Sequence, residues 1–181
     1  MFTRLGLFDG KPASRRAALL DFCAETLGVA RRRVALAHDG MGAPLLLVDG
    51  ASGDWNVSSS SRENVWLFGL ARGARIGVDV EIFRSIEPPD IALHPDERRR
   101  LATLPAAKAA DAFYDLWTVK EAYIKALGVG LRRDLTQIRV TTGAALEIED
   151  QRRPVALGSA RTWRESLEDK QAVCAALTLR A

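Results

Sequence analysis

A carboxylate inside the apolar stripe of a helix is the first place where this sequence could do chemistry. Counting about 100° per residue from Phe113, the residues Tyr114, Trp117, Ile124 and Leu127 fall on one broad face, and Glu121 projects between Trp117 and Tyr114. A charge among aromatics costs several kcal/mol unless a metal or a cation compensates it, so partners must come from elsewhere in the chain. The best candidates lie upstream. In Arg75-Ile76-Gly77-Val78-Asp79-Val80-Glu81-Ile82 the apolar residues alternate as a strand requires, which puts Asp79 and Glu81 on one face. Carboxylates at i and i+2 repel each other unless they spread into water or share a divalent cation. With Glu121 they make an all-oxygen set. Such a set suits magnesium, a hard ion that keeps several waters and takes its remaining ligands from substrate phosphates. Each piece also has a plainer reading: Asp79 and Glu81 as the polar side of a half-solvated edge strand, and Glu121 as the i, i+4 partner of Lys125.

The elements that must position these groups follow from pattern. A helix is predicted over Ser14–Leu27 with Ser14 as its cap, then strands at Val34–Ala37 and Leu45–Val48. A Gly/Ser/Asp-rich loop from Asp49 to Asp54 separates these from a strand at Val65–Ala71, and Arg72-Gly73-Ala74 is the junction between halves. The second half is predicted as a strand at Ile76–Ile82, a connector at Ser85–Pro89, a short helix at Pro95–Leu104 and a long one at Ala106–Leu127. Gly128 and Gly130 stop the long helix. Strands at Gln137–Val140, Leu146–Ile148 and Ala172–Leu177 complete the chain, which shows no sequence repeat.

Gly77-Val78-Asp79-Val80-Glu81 and Trp117-Thr118-Val119-Lys120-Glu121-Ala122-Tyr123-Ile124-Lys125 together resemble the paired signature of the 4′-phosphopantetheinyl transferases, G-[IV]-D-[IV]-E and W-[ST]-x-K-E-[AS]-[YF]-x-K. Gly42-Ala43-Pro44 is similar to the G-x-P turn of the larger, surfactin-type branch, and Trp55-Asn56-Val57-Ser58-Ser59-Ser60 to its F-N-x-S-H-S loop. Ala112-Phe113-Tyr114 and Gly128-Val129-Gly130-Leu131 flank the helix as in that branch, whereas before Ala35 the likeness fades.

The resemblance implies an α+β fold of two similar lobes, 1–72 and 73–181, with the active site in the cleft between them. It implies a reaction in which a carrier-protein serine attacks the β-phosphate of coenzyme A, with Mg2+ as cofactor and adenosine 3′,5′-bisphosphate as product. Asp79, Glu81 and Glu121 match the metal ligands, and Glu121 also matches the residue that takes the serine proton, directly or by way of a metal-bound water. Lys125 matches the pyrophosphate-binding lysine and Lys120 a lysine that contacts the substrate. Ser58, Ser59 and Ser60 match the loop that touches coenzyme A, but Ser59 stands where the family has a histidine for the 3′-phosphate. Arg15 or Arg16 on the first helix matches a basic residue that also reaches that phosphate, and of the two Arg16 is taken as the candidate. The implied partners are coenzyme A and an acidic acyl or peptidyl carrier protein, met by a monomer in the cytoplasm. The alternative, motivated by Ser59, is a catalytically impaired homologue that binds carrier protein or nucleotide.

Composition bounds the function classes. At 181 residues with 48% hydrophobic content the chain can bury a real core. No stretch approaches the roughly 18 apolar residues of a membrane helix, and the start, Met1 to Asp9, is too soon interrupted for a signal peptide. Cys23 and Cys174 read as small core residues in a reducing compartment, and His38 and His94 alone make a zinc site implausible. The net charge of +3 is carried by arginine runs, Arg31–Arg33, Arg98–Arg100 and Arg132-Arg133. Aromatics do not interleave with these runs as a base-stacking platform requires, so acidic partners fit the field better than nucleic acid.

Only five of the 26 basic residues are lysine, and Lys120 and Lys125 are two of them. A compact ammonium is not interchangeable with a planar guanidinium. Lys125→Arg is therefore expected not to restore the transfer lost in Lys125→Ala, and equal rates for lysine and arginine would reduce the lysine to an accident of composition.

Overall fold

The structure is a computed structural model that describes residues 1–8, 11–40, 42–129, 133–143 and 145–180. The first half contains β1 (Phe2–Leu7), α1 (Pro12–Leu27), β2 (Val34–His38), β3 (Pro44–Val48), β4 (Ala51–Arg62) and β5 (Val65–Arg72), whose strands form an antiparallel sheet in the order β1-β5-β4-β3-β2. The second contains β6 (Arg75–Ile82), α2 (Pro95–Ala102), α3 (Ala106–Leu127), β7 (Ile138–Thr141), β8 (Glu147–Asp150), β9 (Leu157–Leu167) and β10 (Lys170–Leu179). Its main sheet has the order β6-β10-β9, and β7 pairs with β8 alone. The fold is α+β, and the two halves share a topology: a strand, a helix, a hairpin, and a second hairpin whose last strand returns to pair with the first.

Why the chain builds four layers is visible in two continuous apolar strands. In β5, Trp66, Phe68 and Leu70 join the core under α1, while Val65, Leu67 and Ala71 join a second core shared with β6 and β10. In β10, Val173, Ala175, Leu177 and Leu179 pack under α3, while Ala172, Cys174 and Ala176 face the first sheet. Strands buried on both faces must read as unbroken apolar runs. The order of layers is thus α1, first sheet, second sheet, α3.

Three strands were not expected from pattern. β1 lies where the sequence reads as a polar-interrupted start, and β9 alternates too weakly, as the edge of its sheet. The supposed loop from Asp49 to Asp54 is mostly β4, which begins at Ala51, and the serine run Ser58–Ser60 lies inside this strand rather than on a loop. The first helix starts at Pro12, with Pro in its first turn, so Ser14 is an interior residue and not the cap. The short helix ends at Ala102. The long helix keeps its predicted bounds because its period is strong and its ends are punctuated by Pro105 and by Gly128, which adopts the left-handed conformation at φ +71°. Gly130, Leu131 and Arg132 lie outside the described residues.

The crossing of β6 and α3 leaves no room for a side chain at Gly77, where a Cβ would stand 1.7 Å from the carbonyl oxygen of Ala122 and 2.8 Å from the nitrogen of Ala126. Both obstacles are backbone, so neither can rotate aside. Gly77→Ala is expected to cost about 3 kcal/mol or more, the upper end of overpacking effects, with a fall in Tm of roughly 2–4 °C per kcal/mol for a chain of this size. An unchanged Tm would show that the helix can lift off the strand freely.

Candidate active site

With Ile76, Val78, Val80 and Ile82 committed to the core between the sheets, Asp79 and Glu81 must turn the other way, toward α3. There the structure brings together Asp79, Glu81, Lys125, Arg62, Ser60 and the Trp117 indole. Asp79 is buried, and its Oδ1 accepts from Lys125 Nζ at 2.6 Å and from Ser60 Oγ at 2.8 Å. Lys125 Nζ also donates to Ser60 Oγ at 2.9 Å, closing a triangle that joins β4, β6 and α3. Glu81 accepts from the Trp117 indole at 3.1 Å on Oε1 and is ion-paired through Oε2 with Arg62 Nε at 3.1 Å. Both plainer readings fail on this geometry: Asp79 is not solvated, and Lys125 pairs with Asp79 rather than with Glu121.

The electrostatics single out Glu121. Burial pushes its carboxyl up to about 7, the Asp79 and Glu81 charges push the same way, and Lys125 opposes them. Burial also raises Glu81, with the Trp117 hydrogen bond opposing. Asp79 Oδ2 and Glu121 Oε1 are two of the three buried side-chain polar atoms that lack a hydrogen-bond partner among the described residues. Buried anionic oxygens without donors are rare because each keeps its full desolvation penalty. No three Asp, Glu, His or Cys side chains among the described residues form a metal cage by themselves. Two orphaned oxygens therefore fit a hard divalent ion only if water or phosphate supplies its remaining ligands.

A cleft of about 600 Å3 adjoins this cluster, lined by Gly42 to Leu45, Asn56 to Ser59, Arg75, Lys125 and the residues that end α3. The turn and the strand that the sequence holds far from the helix thus meet Lys125 on one cavity. On β4, Ser58 and Ser60 face β6, and Ser58 Oγ accepts from the Val78 amide at 3.2 Å. Ser59 alternates to the opposite face, shared with Ser61, where Arg15 donates to Ser61 Oγ. Arg16 is not brought there: its guanidinium donates to the Leu36 carbonyl at 2.9 Å, and it does not line the cleft. Arg15 is the basic residue that α1 holds against the serine strand.

A model of the 4′-phosphopantetheinyl transferase superfamily matches residues 75–177, which span β6, α3 and most of β10. The chain belongs to this superfamily. A Synechocystis protein provisionally named a 4′-phosphopantetheinyl transferase is 33% identical over 129 residues, covering 68% of this chain and 51% of that protein. A 4′-phosphopantetheinyl transferase of Bacillus subtilis is 30% identical over 128 residues, covering 67% of this chain and 54% of that protein. The chain thus spans about half the length of these curated relatives. A Thermotoga maritima holo-[acyl-carrier-protein] synthase structure aligns with a TM-score of 0.47 at 18% identity, over 59% of this chain and 64% of that one.

One site residue expected from the phosphopantetheinyl transferase signature is used differently. Lys120 is fully buried, and its ammonium donates to Glu97 Oε2 at 2.5 Å, to the Ala92 carbonyl at 2.9 Å and to the Leu135 carbonyl at 3.1 Å. Its three donors are spent. Lys120 therefore cannot contact a substrate; it ties α3 to α2 and to the turn before β7, while Glu97 also accepts from the Val140 and His94 amides. The signal was available, because Lys120 projects about 20° from Phe113, inside the apolar stripe. Trp117 and Arg62 as partners of Glu81 had no such signal, since neither spacing nor charge pattern links them. Removing one member of a buried ion pair typically costs 3–5 kcal/mol. Lys120→Met is expected to lower stability by about that much in denaturant unfolding, and unchanged stability would show that the ammonium is not the structural tie between α3 and α2.

Proposed function

We propose that this chain is a magnesium-dependent 4′-phosphopantetheinyl transferase of the surfactin-type branch. It moves phosphopantetheine from coenzyme A to a serine of an acidic acyl or peptidyl carrier protein and releases adenosine 3′,5′-bisphosphate. The observation that supports this most is the pair of orphaned oxygens, Asp79 Oδ2 and Glu121 Oε1, beside the Lys125 ammonium at the wall of the cleft. Asp79 and Glu121 would hold the ion, with Glu81 adjacent. When bound, the ion supplies neutralisation of the pyrophosphate charge, the main requirement of phosphoryl transfer.

The remaining work falls to side chains of this protein. Lys125 is 30% exposed, so its ammonium can exchange Ser60 or Asp79 for a phosphate oxygen without crossing dry protein. Glu121, when unprotonated, is the base disposed to take the serine proton as the new P–O bond forms and the bond to the bisphosphate leaving group breaks. Ser58 and Ser59 line the cleft that would take coenzyme A, and Arg15 reaches the same strand at Ser61. Residues 1–72 and 73–181 act as the two lobes, and because one chain supplies both walls of the cleft it works as a monomer. The net charge of +3 favours encounter with coenzyme A and with an acidic carrier. Two unpaired, buried thiols, pushed up to about 12 by burial, suit the cytoplasm.

The test is to incubate the protein with coenzyme A, magnesium and apo-carriers and to weigh the carriers intact. A gain of one phosphopantetheine is expected, and an unchanged mass across a panel of carriers would favour a binding protein without transferase activity. Glu121→Gln keeps the volume and removes the charge, so turnover is expected to fall by at least ~10²-fold, as loss of a general base alone can cause. Near wild-type loading by this variant would overturn the assignment.

A further inference from the structure

Two cations line the cleft beside the carboxylates, and they are engaged differently. Lys125 is held by Asp79 and Ser60. Arg75, the first residue of β6, lies two positions before Gly77 and outside both signature motifs. It shares the α3-facing side of the strand with Asp79, about 13 Å further along the backbone, and Gly77 puts no side chain between them. The backbone of Arg75 is fixed: it pairs with Leu179 of β10, and the corner before it is fastened where the Gly73 amide donates to the Asp54 carbonyl at 2.8 Å. Its guanidinium is exposed and meets no hydrogen-bond or ion-pair partner among the described residues. Arg72, on the same corner, instead pairs with Asp54 at 2.7 Å and lies over the Trp55 ring. The rest of the cleft lining offers no cation. Ala126 to Val129 present the C-terminal end of α3, where partial negative charge collects, Asp39 adds a carboxylate, and Gly42 to Leu45 are neutral. Away from Lys125, an anion can settle in this cleft only opposite Arg75.

Coenzyme A carries two separate anionic groups, the pyrophosphate and a phosphate on the 3′ oxygen of its ribose. We infer that Arg75 binds this second phosphate and is the residue by which the protein distinguishes coenzyme A from its 3′-dephospho form. This rests on the reading of the cleft as the coenzyme A site with Lys125 at the pyrophosphate. A guanidinium presents parallel donors that match a phosphate, and one with no protein partner to abandon keeps the whole gain. Neither Arg15 nor Arg16 competes for the role, because neither lines the cleft and each donates elsewhere, to Ser61 Oγ and to the Leu36 carbonyl.

Calorimetric titration with coenzyme A and with 3′-dephospho-coenzyme A, in the presence of magnesium and the absence of any carrier, tests this without turnover. The wild type should bind coenzyme A at least about tenfold more tightly, the effect of one hydrogen-bonded charge contact. Arg75→Ala should abolish most of that ratio by weakening coenzyme A alone, with 3′-dephospho-coenzyme A held within about twofold of its wild-type affinity. Arg75→Lys, a point charge without the fork, should keep only part of it. Arg72→Ala removes an equal charge from the same corner but outside the cleft, so an unchanged ratio there separates contact from long-range field. No discrimination by the wild type, an equal loss for both donors in Arg75→Ala, or a ratio that survives that substitution each overturn the inference; a surviving ratio with a raised KM for carrier would place the guanidinium on the carrier's path instead. Carriers that gain phosphopantetheine while the two donors bind alike would strike this inference and spare the transferase reading. Carriers that stay unloaded while the ratio depends on Arg75 would do the reverse.

Discussion

The close crossing of β6 over α3 at Gly77 is the constraint on which the site depends. Because nothing projects from that position, the strand backbone touches the helix backbone at Ala122 and Ala126, both small and buried. Two residues further along the strand, Asp79 is then pressed against the same helix at Glu121 and Lys125. A larger residue at 77, 122 or 126 would separate the layers and let water between the carboxylates, which would relax the repulsion that makes them useful. Packing and electrostatics are one arrangement here, since interiors transmit a displaced backbone rather than absorb it.

Three acidic groups in a dry seam need three solutions. Asp79 takes the ammonium of Lys125 and the hydroxyl of Ser60 on one oxygen, Glu81 takes an indole and a guanidinium, and Glu121 takes a proton up to about pH 7. The last solution is the weakest, because a neutral carboxyl gives up its proton as soon as a stronger cation arrives. Frustration is therefore concentrated on Glu121, one helical turn before the Lys125 that lines the cleft. Lys120, one position earlier, shows the contrasting case: it is equally charged and more deeply buried, yet satisfied on all sides and structural.

Much of this was legible in the sequence, for physical reasons that differ by element. The bounds of α3 and β6 follow from strong periodicity and those of β5 from its unbroken apolar run, and the alternation of β6 alone puts Asp79 and Glu81 on one face. The triangle of Asp79, Ser60 and Lys125 was not legible, because it joins three elements whose approach depends on a glycine contact that no local pattern encodes. Arg62 escaped notice for the same reason, as a turn residue in the first half meeting a strand residue in the second. The choice of Arg16 over Arg15 was a matter of which way one helical residue points, and the early start of α1 at Pro12 rotates nothing but removes the cap that seemed to fix the frame.

β4 is the most instructive miss. A run of Ser, Gly and Asp has low strand propensity and reads as a loop, yet Ala51 and Ser52 of this run pair with β3, and the strand continues paired with β5 throughout Trp55 to Arg62. Its partner supplies the apolar burial, so β4 is free to be polar. Lying along the open edge of β6, it has to answer a backbone amide at Val78 and a carboxylate at Asp79, and hydroxyls do both without adding charge to a seam that already holds three anions. Apolar residues there would leave the amide and the carboxylate short of partners, and charged ones would compete with Lys125. The composition that hides this strand from pattern reading is the composition that the joint between the halves requires.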